Sequence, residues 1–234
     1  MVSSQLSAVT LDAHDPARLG EFWASMLGRE AVEHVGGVLL PGDHSQHGLR
    51  FVTNPAAKIG PNLAHFHLTS TSAADQQHTV AMALDLGARH LDFGQTPDDG
   101  HIVLADPDGN EFCVIEPGNN FLANCGFLGE LACDGPRDVG LFWSNCLDWP
   151  LVWDQGQETA IQSPDGGTKI SWGGEPAAPP EVRRRHRLYL VTAEDRETEA
   201  DRLVSIGATR LEGREGRNVV LADPGGNEFE LASQ

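Results

Sequence analysis

His65 and His67 stand two residues apart in Ala64-His65-Phe66-His67-Leu68, a short apolar run that reads as a strand. Side chains alternate across a strand, so both imidazoles leave the same face. A neutral imidazole near pH 7 serves as a metal ligand or as a general base, and both roles are open for this pair. Cys113, in Glu111-Phe112-Cys113-Val114, can act as a thiolate ligand or a nucleophile where His67 or His101 stands beside it. Without such a neighbour it is a small apolar filler. His101 opens the strand ahead of the turn that leads to Cys113. The catalytic candidates are therefore His67, His65 and Cys113. His101, Glu230, Trp153 and Trp172 are the ligand-binding candidates. His44 and His47 share a polar loop at i, i+3, where a solvated role is expected. The run Arg183-Arg184-Arg185-His186-Arg187 is expected to be a solvated approach to a strand.

The elements that must position these residues come in four similar units. Asp15-Pro16 is a cap followed by proline at the first helical position, and Gly28 ends the helix. Between them Leu19, Phe22, Trp23, Met26 and Leu27 make an apolar stripe at i, i+3, i+4, i+7, i+8. A first strand over Leu6–Asp12 precedes this helix, and three short strands follow it. The order then recurs: a strand at Ala64–Leu68, a helix from Ala74 to Leu86 with Val80 and Leu84 inward, and three more strands. After Pro117-Gly118-Asn119-Asn120, a break that suits a domain boundary, the whole pattern returns. Val139, Phe142, Trp143, Cys146 and Leu147 repeat the first stripe at an offset of 120. The turn Asp106-Pro107-Asp108-Gly109-Asn110-Glu111-Phe112 returns as Asp223-Pro224-Gly225-Gly226-Asn227-Glu228-Phe229 at an offset of 117. Collinear blocks of this kind mark a tandem duplication.

Composition bounds the function. The chain has 234 residues, 40% hydrophobic and 21% charged, with a net charge of −18. Nucleic-acid binding needs clustered Lys and Arg to release counterions, so neither nucleic acid nor an anionic membrane is an expected partner. The amino terminus shows no secretory pattern and no run is long enough to span a membrane. The four cysteines lack metal-type spacing, and the expected setting is a reducing cytoplasm.

Together, the Asp-Pro-x-Gly-Asn-Glu-Phe turns, the helices Gly20-Glu21-Phe22-Trp23 and Gly140-Leu141-Phe142-Trp143, and the paired units resemble the vicinal oxygen chelate superfamily. That superfamily includes glyoxalase I, bleomycin-resistance proteins and extradiol dioxygenases, and the similarity is greatest to its glyoxalase-like subgroup. The resemblance implies an α+β fold: four βαβββ modules forming two glyoxalase-like domains, 1–118 and 119–234, with curved mixed sheets around open clefts. In metal-using members the ligands come from the first strand of a module and from the last strand, just after the turn. Those positions here are expected near Ala8, His67 and Cys113 in the first half, and near Leu128, Leu188 and Glu230 in the second. Neither set holds the usual metal triad.

The expected function is therefore binding of a small organic metabolite in a cleft, with no cofactor predicted and a divalent metal left open. The alternatives are a metal-dependent lyase, isomerase or dioxygenase, and a drug-sequestering protein without turnover. In the last case Trp153 and Trp172 would wall the ligand, as aromatics do in related binding members. Duplication leaves both monomer and homodimer open.

Overall fold

The computed structural model describes residues 4–43, 45–96, 99–174, 184–211 and 218–234. The first module is β1 (Ser4–Ala13), α1 (Pro16–Leu27), β2 (Val32–His34), β3 (Gly37–Leu40) and β4 (Gly48–Thr53). The second is β5 (Ala64–Leu68), α2 (Ala73–Asp85), β6 (Arg89–His90), β7 (Ile102–Ala105) and β8 (Glu111–Val114). The third is β9 (Leu128–Asp134), α3 (Arg137–Leu147), β10 (Leu151–Gln155), β11 (Glu158–Gln162) and β12 (Lys169–Gly173). The fourth is β13 (His186–Thr192), α4 (Arg196–Ser205), β14 (Thr209–Arg210), β15 (Val219–Ala222) and β16 (Glu228–Ser233). Each module is βαβββ, as the repeats imply.

The helix ends follow local chemistry. Asp15 caps α1 by accepting from the Arg18 amide at 3.0 Å, and Gly28 closes it in the left-handed region at φ 62°. Leu19, Phe22, Trp23 and Met26 are all buried. In α2 the inward face differs from the sequence expectation. Val80 is buried, but Leu84 is 36% exposed and Ala83 turns inward instead. The buried face runs through Gln76, Thr79, Val80 and Ala83 at i, i+3, i+4 and i+7, which leaves Leu84 at its edge.

Pairing of the modules decides where the clefts lie. The strands form two eight-stranded mixed sheets. The first runs β14-β15-β16-β13-β1-β4-β3-β2 and joins the first module to the fourth. The second runs β10-β11-β12-β9-β5-β8-β7-β6 and joins the second module to the third. At each centre two module-opening strands lie antiparallel, β1 against β13 and β5 against β9, while β1–β4 and β5–β8 are parallel. Hydrogen-bonded ladders thus cross the 118/119 break.

Side-chain packing links the modules the other way. Trp23 of the first module donates to Asp106 in the second module's turn at 3.2 Å, and Trp143 donates to Asp223 at 3.0 Å. Trp23 meets the rings of Phe66 and Phe112 edge-on, both at 5.3 Å, and Trp143 meets Phe229 at 4.9 Å. Such pairs contribute about 0.5–1.5 kcal/mol each beyond the area they bury. Asp106 also accepts from the amides of Asp108 and Asn110, which makes it the hub of the repeated turn. Burial pushes its carboxyl up to about 6, against the pull of those donors.

The basic run does not follow the sequence expectation of a solvated approach. Arg185, His186 and Arg187 are buried, and Arg183 lies outside the described residues. Acidic partners from other modules account for the burial. Arg185 bonds the Asp108 carboxylate and the Asp12 carbonyl, and Arg187 reaches Asp12 Oδ1 at 2.8 Å. Buried charges require such pairing.

Candidate active site

The cluster is built where β5, β8 and β9 run side by side. In the ladder His67 is opposite Cys113 on one side and Glu130 on the other. Strand alternation turns all three to the same face, with His65 two residues away on that face. His67 Nδ1 lies 2.6 Å from Glu130 Oε2, and His67 Nε2 lies 3.0 Å from His65 Nε2. Ligand atoms of His65, His67 and Cys113 all fall within 4.8 Å of one another.

Glu130 was missed by the sequence reading, which set the third module's position at Leu128. Leu128 is instead a core residue, 1% exposed. Leu128 pairs with Leu68 on the core side, and a register irregularity between the His67 and Leu68 pairings sets Glu130, two residues on, opposite His67. The signal was present: Glu130 is the lone carboxylate in the apolar run from Phe127 to Ala132. The grouping of positions also changes. Ala8 is opposite Tyr189 in the first sheet, so it does not complete the His67 cluster.

Charge is divided unequally between the two histidines. Burial lowers both, but at His67 the bonds and charges of Cys113 and Glu130 outweigh it and hold the imidazole up at about 9. At His65 burial prevails, reinforced by charged His67, and the value falls to about 4. Burial works against the charge of Glu130, yet its bonds to His67 and Ser171 keep the carboxyl below its ordinary range. Near pH 7, then, His67 is an imidazolium that donates Nδ1–H to Glu130 and Nε2–H to His65. The neutral imidazole expected of the pair is therefore His65 alone.

Two cavities open on this cluster. One of about 430 Å³ is lined by His65, His67, Glu130, Phe121, Trp153 and Ser171, among others. The other, of about 280 Å³, is lined by His67, Glu130, Phe121, His101, Asp99 and Glu116 with their neighbours. Trp153 sits at the rim, 36% exposed and edge-on to Phe121 at 5.9 Å. Trp172 touches the larger cavity but is 2% exposed and belongs to the core.

Glu230 lies in the first sheet, apart from the cluster. It accepts from Arg50 at 3.1 Å and Asn218 at 2.8 Å, with Arg187 at 3.8 Å. Arg50 in turn lies 4.5 Å over the Tyr189 ring. His47 is also separate: it stacks on Trp149 at 5.5 Å, and burial lowers it to about 4. His44 lies outside the described residues.

The donor chemistry can be tested against the metal shell that the fold suggests. First-strand and last-strand positions around the cluster carry His67, Cys113, Glu130 and, opposite Glu130, Lys169. An ammonium stands where a fourth donor would be, and Glu130 is committed to His67. The four-ligand shell therefore does not fit. The compact His65, His67 and Cys113 group is a different, softer donor set.

The glyoxalase-like domain family model matches residues 8–115 and 130–232. No curated protein sequence matches this chain. Among solved structures, glyoxalase I from Zea mays is similar at a TM-score of 0.67 and 12% identity, with 99% of this chain and 92% of that chain covered. A putative dioxygenase from Bacillus subtilis subsp. subtilis str. 168 is similar at a TM-score of 0.60 and 14% identity, with 99% and 85% covered. At these identities the likeness concerns the fold. With the family model matched in both halves and the paired-module fold recovered over the whole chain, this protein belongs to the glyoxalase-like domain family of the vicinal oxygen chelate superfamily, in a tandem two-domain form.

Proposed function

We propose that the chain is a small-molecule enzyme whose ligand lies against the His65–His67 face of the second sheet, and that His67 delivers a proton to a ligand oxygen. The observation that carries this reading is the split histidine pair, one imidazole held charged by Glu130 and the other kept neutral 3.0 Å away. Groups whose environments push their protonation apart are suited to acid and base roles. A carbonyl or enolate oxygen arriving at His67 Nε2 replaces His65 as the acceptor. The imidazolium then stabilises negative charge developing on that oxygen, and the carboxylate behind it fixes the ring. Neutral His65 takes up the carbon-bound proton as His67 gives its Nε2 proton to the oxygen, and the reverse transfers restore both groups. The reaction class is proton transfer on an oxygenated organic molecule, such as an enolisation or isomerisation.

The test is solvent-deuterium exchange into a panel of small carbonyl compounds, followed by NMR. Wild-type protein exchanges a carbon-bound proton in at least one of them. His67→Gln loses that exchange and His65→Gln slows it. Equal exchange by wild type and His67→Gln would end this reading.

One observation favours a second reading, in which His65, His67 and Cys113 hold a divalent ion. Two nitrogens and a sulfur within 4.8 Å suit a borderline ion of the zinc class, which would supply Lewis-acid polarisation when bound. Glu130 on Nδ1 would then orient His67, as carboxylates commonly do behind metal-bound histidines. Elemental analysis of protein purified without a histidine tag separates the readings. Stoichiometric metal, lost in Cys113→Ser, selects the second.

A further inference from the structure

Phe121 lies in the segment between the second and third modules, beside the break that reads in sequence as a plain linker. In the structure it lines both cavities, as His67 and Glu130 do. Contacts from three directions hold the ring in place. Trp153 of β10 meets it edge-on at 5.9 Å and 85°. Lys169 of β12 bonds the Phe121 carbonyl and places its ammonium 4.5 Å over the ring. Beneath, it packs on the apolar cluster of Cys113, Leu122 and Cys125. These contacts make the ring a fixed wall, and the cavities of about 430 and 280 Å³ share it together with His67 and Glu130.

The chambers differ in lining. The larger has Trp153 and the Phe121 ring at one side, surfaces that accept a flat apolar group. The smaller carries the carboxylates of Asp99 and Glu116 with Asn119, and its one cation, His67, is already paired with Glu130. An anionic arm would meet repulsion there, whereas a neutral polar arm would not.

We propose that the two cavities are one bipartite ligand site divided by Phe121, which selects a flat aromatic ring of single-ring width bearing an uncharged oxygenated arm. The ring lies in the larger chamber, the oxygen meets His67 at the junction, and the rest of the arm enters the smaller chamber. Phe121 is a specificity-determining residue in this arrangement. The inference rests on the cleft assigned under Proposed function and names its substrate class.

The experiment measures binding of three probes by calorimetry: 4-phenylbutan-2-one, its naphthyl analogue and 4-phenylbutanoate. The His67 imidazole resonance is followed in the same titrations. Wild type binds the phenyl ketone most tightly and the carboxylate least, and the ketone shifts the His67 resonance. Removing the edge-on ring contact in Phe121→Ala weakens the phenyl ketone roughly 2- to 12-fold. The same change admits the naphthyl ketone, so the order of the two ketones reverses. Phe121→Leu, which keeps most of the volume beneath the ring, serves if the alanine variant does not fold, and it narrows the preference in the same direction. The inference is overturned if neither variant changes the order of the ketones, or if the carboxylate binds as well as the phenyl ketone. It is equally overturned if no probe binds wild type, or if the phenyl ketone binds without moving the His67 signal. A moved His67 signal with an unchanged order removes Phe121 as divider and leaves the cleft assignment standing on its own exchange test.

Discussion

Replacing Glu130 by glutamine is the sharpest test of how the site is charged. The glutamine keeps the shape, and its amide oxygen can still accept from His67 Nδ1 at the position that now gives 2.6 Å. What disappears is the negative charge. His67 then keeps the burial that lowers its affinity for a proton and its contact with Cys113, and loses the charge of Glu130 that raises it, so its titration falls from about 9. The sign of the stability effect follows. A histidine held at about 9 when folded and 6.5 when unfolded contributes stability that is complete below pH 6.5 and is lost as pH climbs through 9. The gap between those values corresponds to about 3 kcal/mol. At pH 7 the variant can avoid a stranded imidazolium by releasing the proton. The loss at that pH is thus bounded by the two-unit distance from 7 to about 9, roughly 3 kcal/mol. Urea unfolding of metal-free wild type and Glu130→Gln across pH 6 to 10 should show the largest difference at the low end of that range, shrinking above pH 6.5 and closing as pH passes about 9. Proton NMR of the His67 ring gives the titration directly. A His67 titration still near 9 in the variant would refute the reasoning, as would a stability difference that does not change with pH.

Further substitutions test other parts of the structure. Asp106→Asn and Asp223→Asn each point an amide N–H at the backbone and indole donors of the repeated turn, and should each cost about 2–3 kcal/mol in chemical denaturation, with similar effects in the two halves. Glu230→Gln leaves Arg50 and Arg187 without their shared carboxylate, and should lower stability by about 3 kcal/mol while leaving carbon-proton exchange at the other sheet unchanged. Gly167→Ala places a methyl carbon 1.6 Å from the Ser45 carbonyl oxygen at φ +88°, and should cost roughly 3 kcal/mol or more. Gly166→Ala, at φ +84° with open space around it, should cost only about 1 kcal/mol from its backbone conformation.

What could be read in the sequence was what local chemistry fixes. The Asp15 cap, the Gly28 stop and the buried stripe from Leu19 to Met26 depend on residues within a few positions of one another, and each is where the pattern puts it. His65 and His67 share a face because strand geometry leaves no alternative. Partner choice is different, since the same four modules can pair in more than one way without altering any local signal. The sequence therefore did not reveal that the second module's β5 takes the third module's β9 as neighbour, nor that Glu130 would face His67. The basic run failed for a related reason: Arg185 and Arg187 look solvated until Asp108 and Asp12 are brought to them from distant modules. The protonation of His67 also depended on these long-range neighbours, so the sequence could propose an imidazole but not its charge.

The two sheets show what duplication did with one geometry. Matching the ladders, the quartet of His67, Cys113, Glu130 and Lys169 in the second sheet corresponds to Tyr189, Glu230, Ala8 and Gly48 in the first. Alongside, His65 corresponds to Arg187 and Ser171 to Arg50. In the first sheet the carboxylate of Glu230 draws in both guanidiniums, Asp12 binds Arg187 from the other side, and Tyr189 lies under Arg50. Each strong charge there is answered by another from the same network, and the side chains reach across the ground that a ligand would occupy. In the second sheet His65, Ser171 and Cys113 replace Arg187, Arg50 and Glu230, and a cavity opens over His65 and Ser171 that Phe121 lines from outside the repeat. The inner Glu130 holds a single charge on His67 instead of closing the cleft. Residue size and charge balance at equivalent positions thus give the two sheets different surfaces: a closed ionic network in the first and a histidine pair open to a cavity in the second.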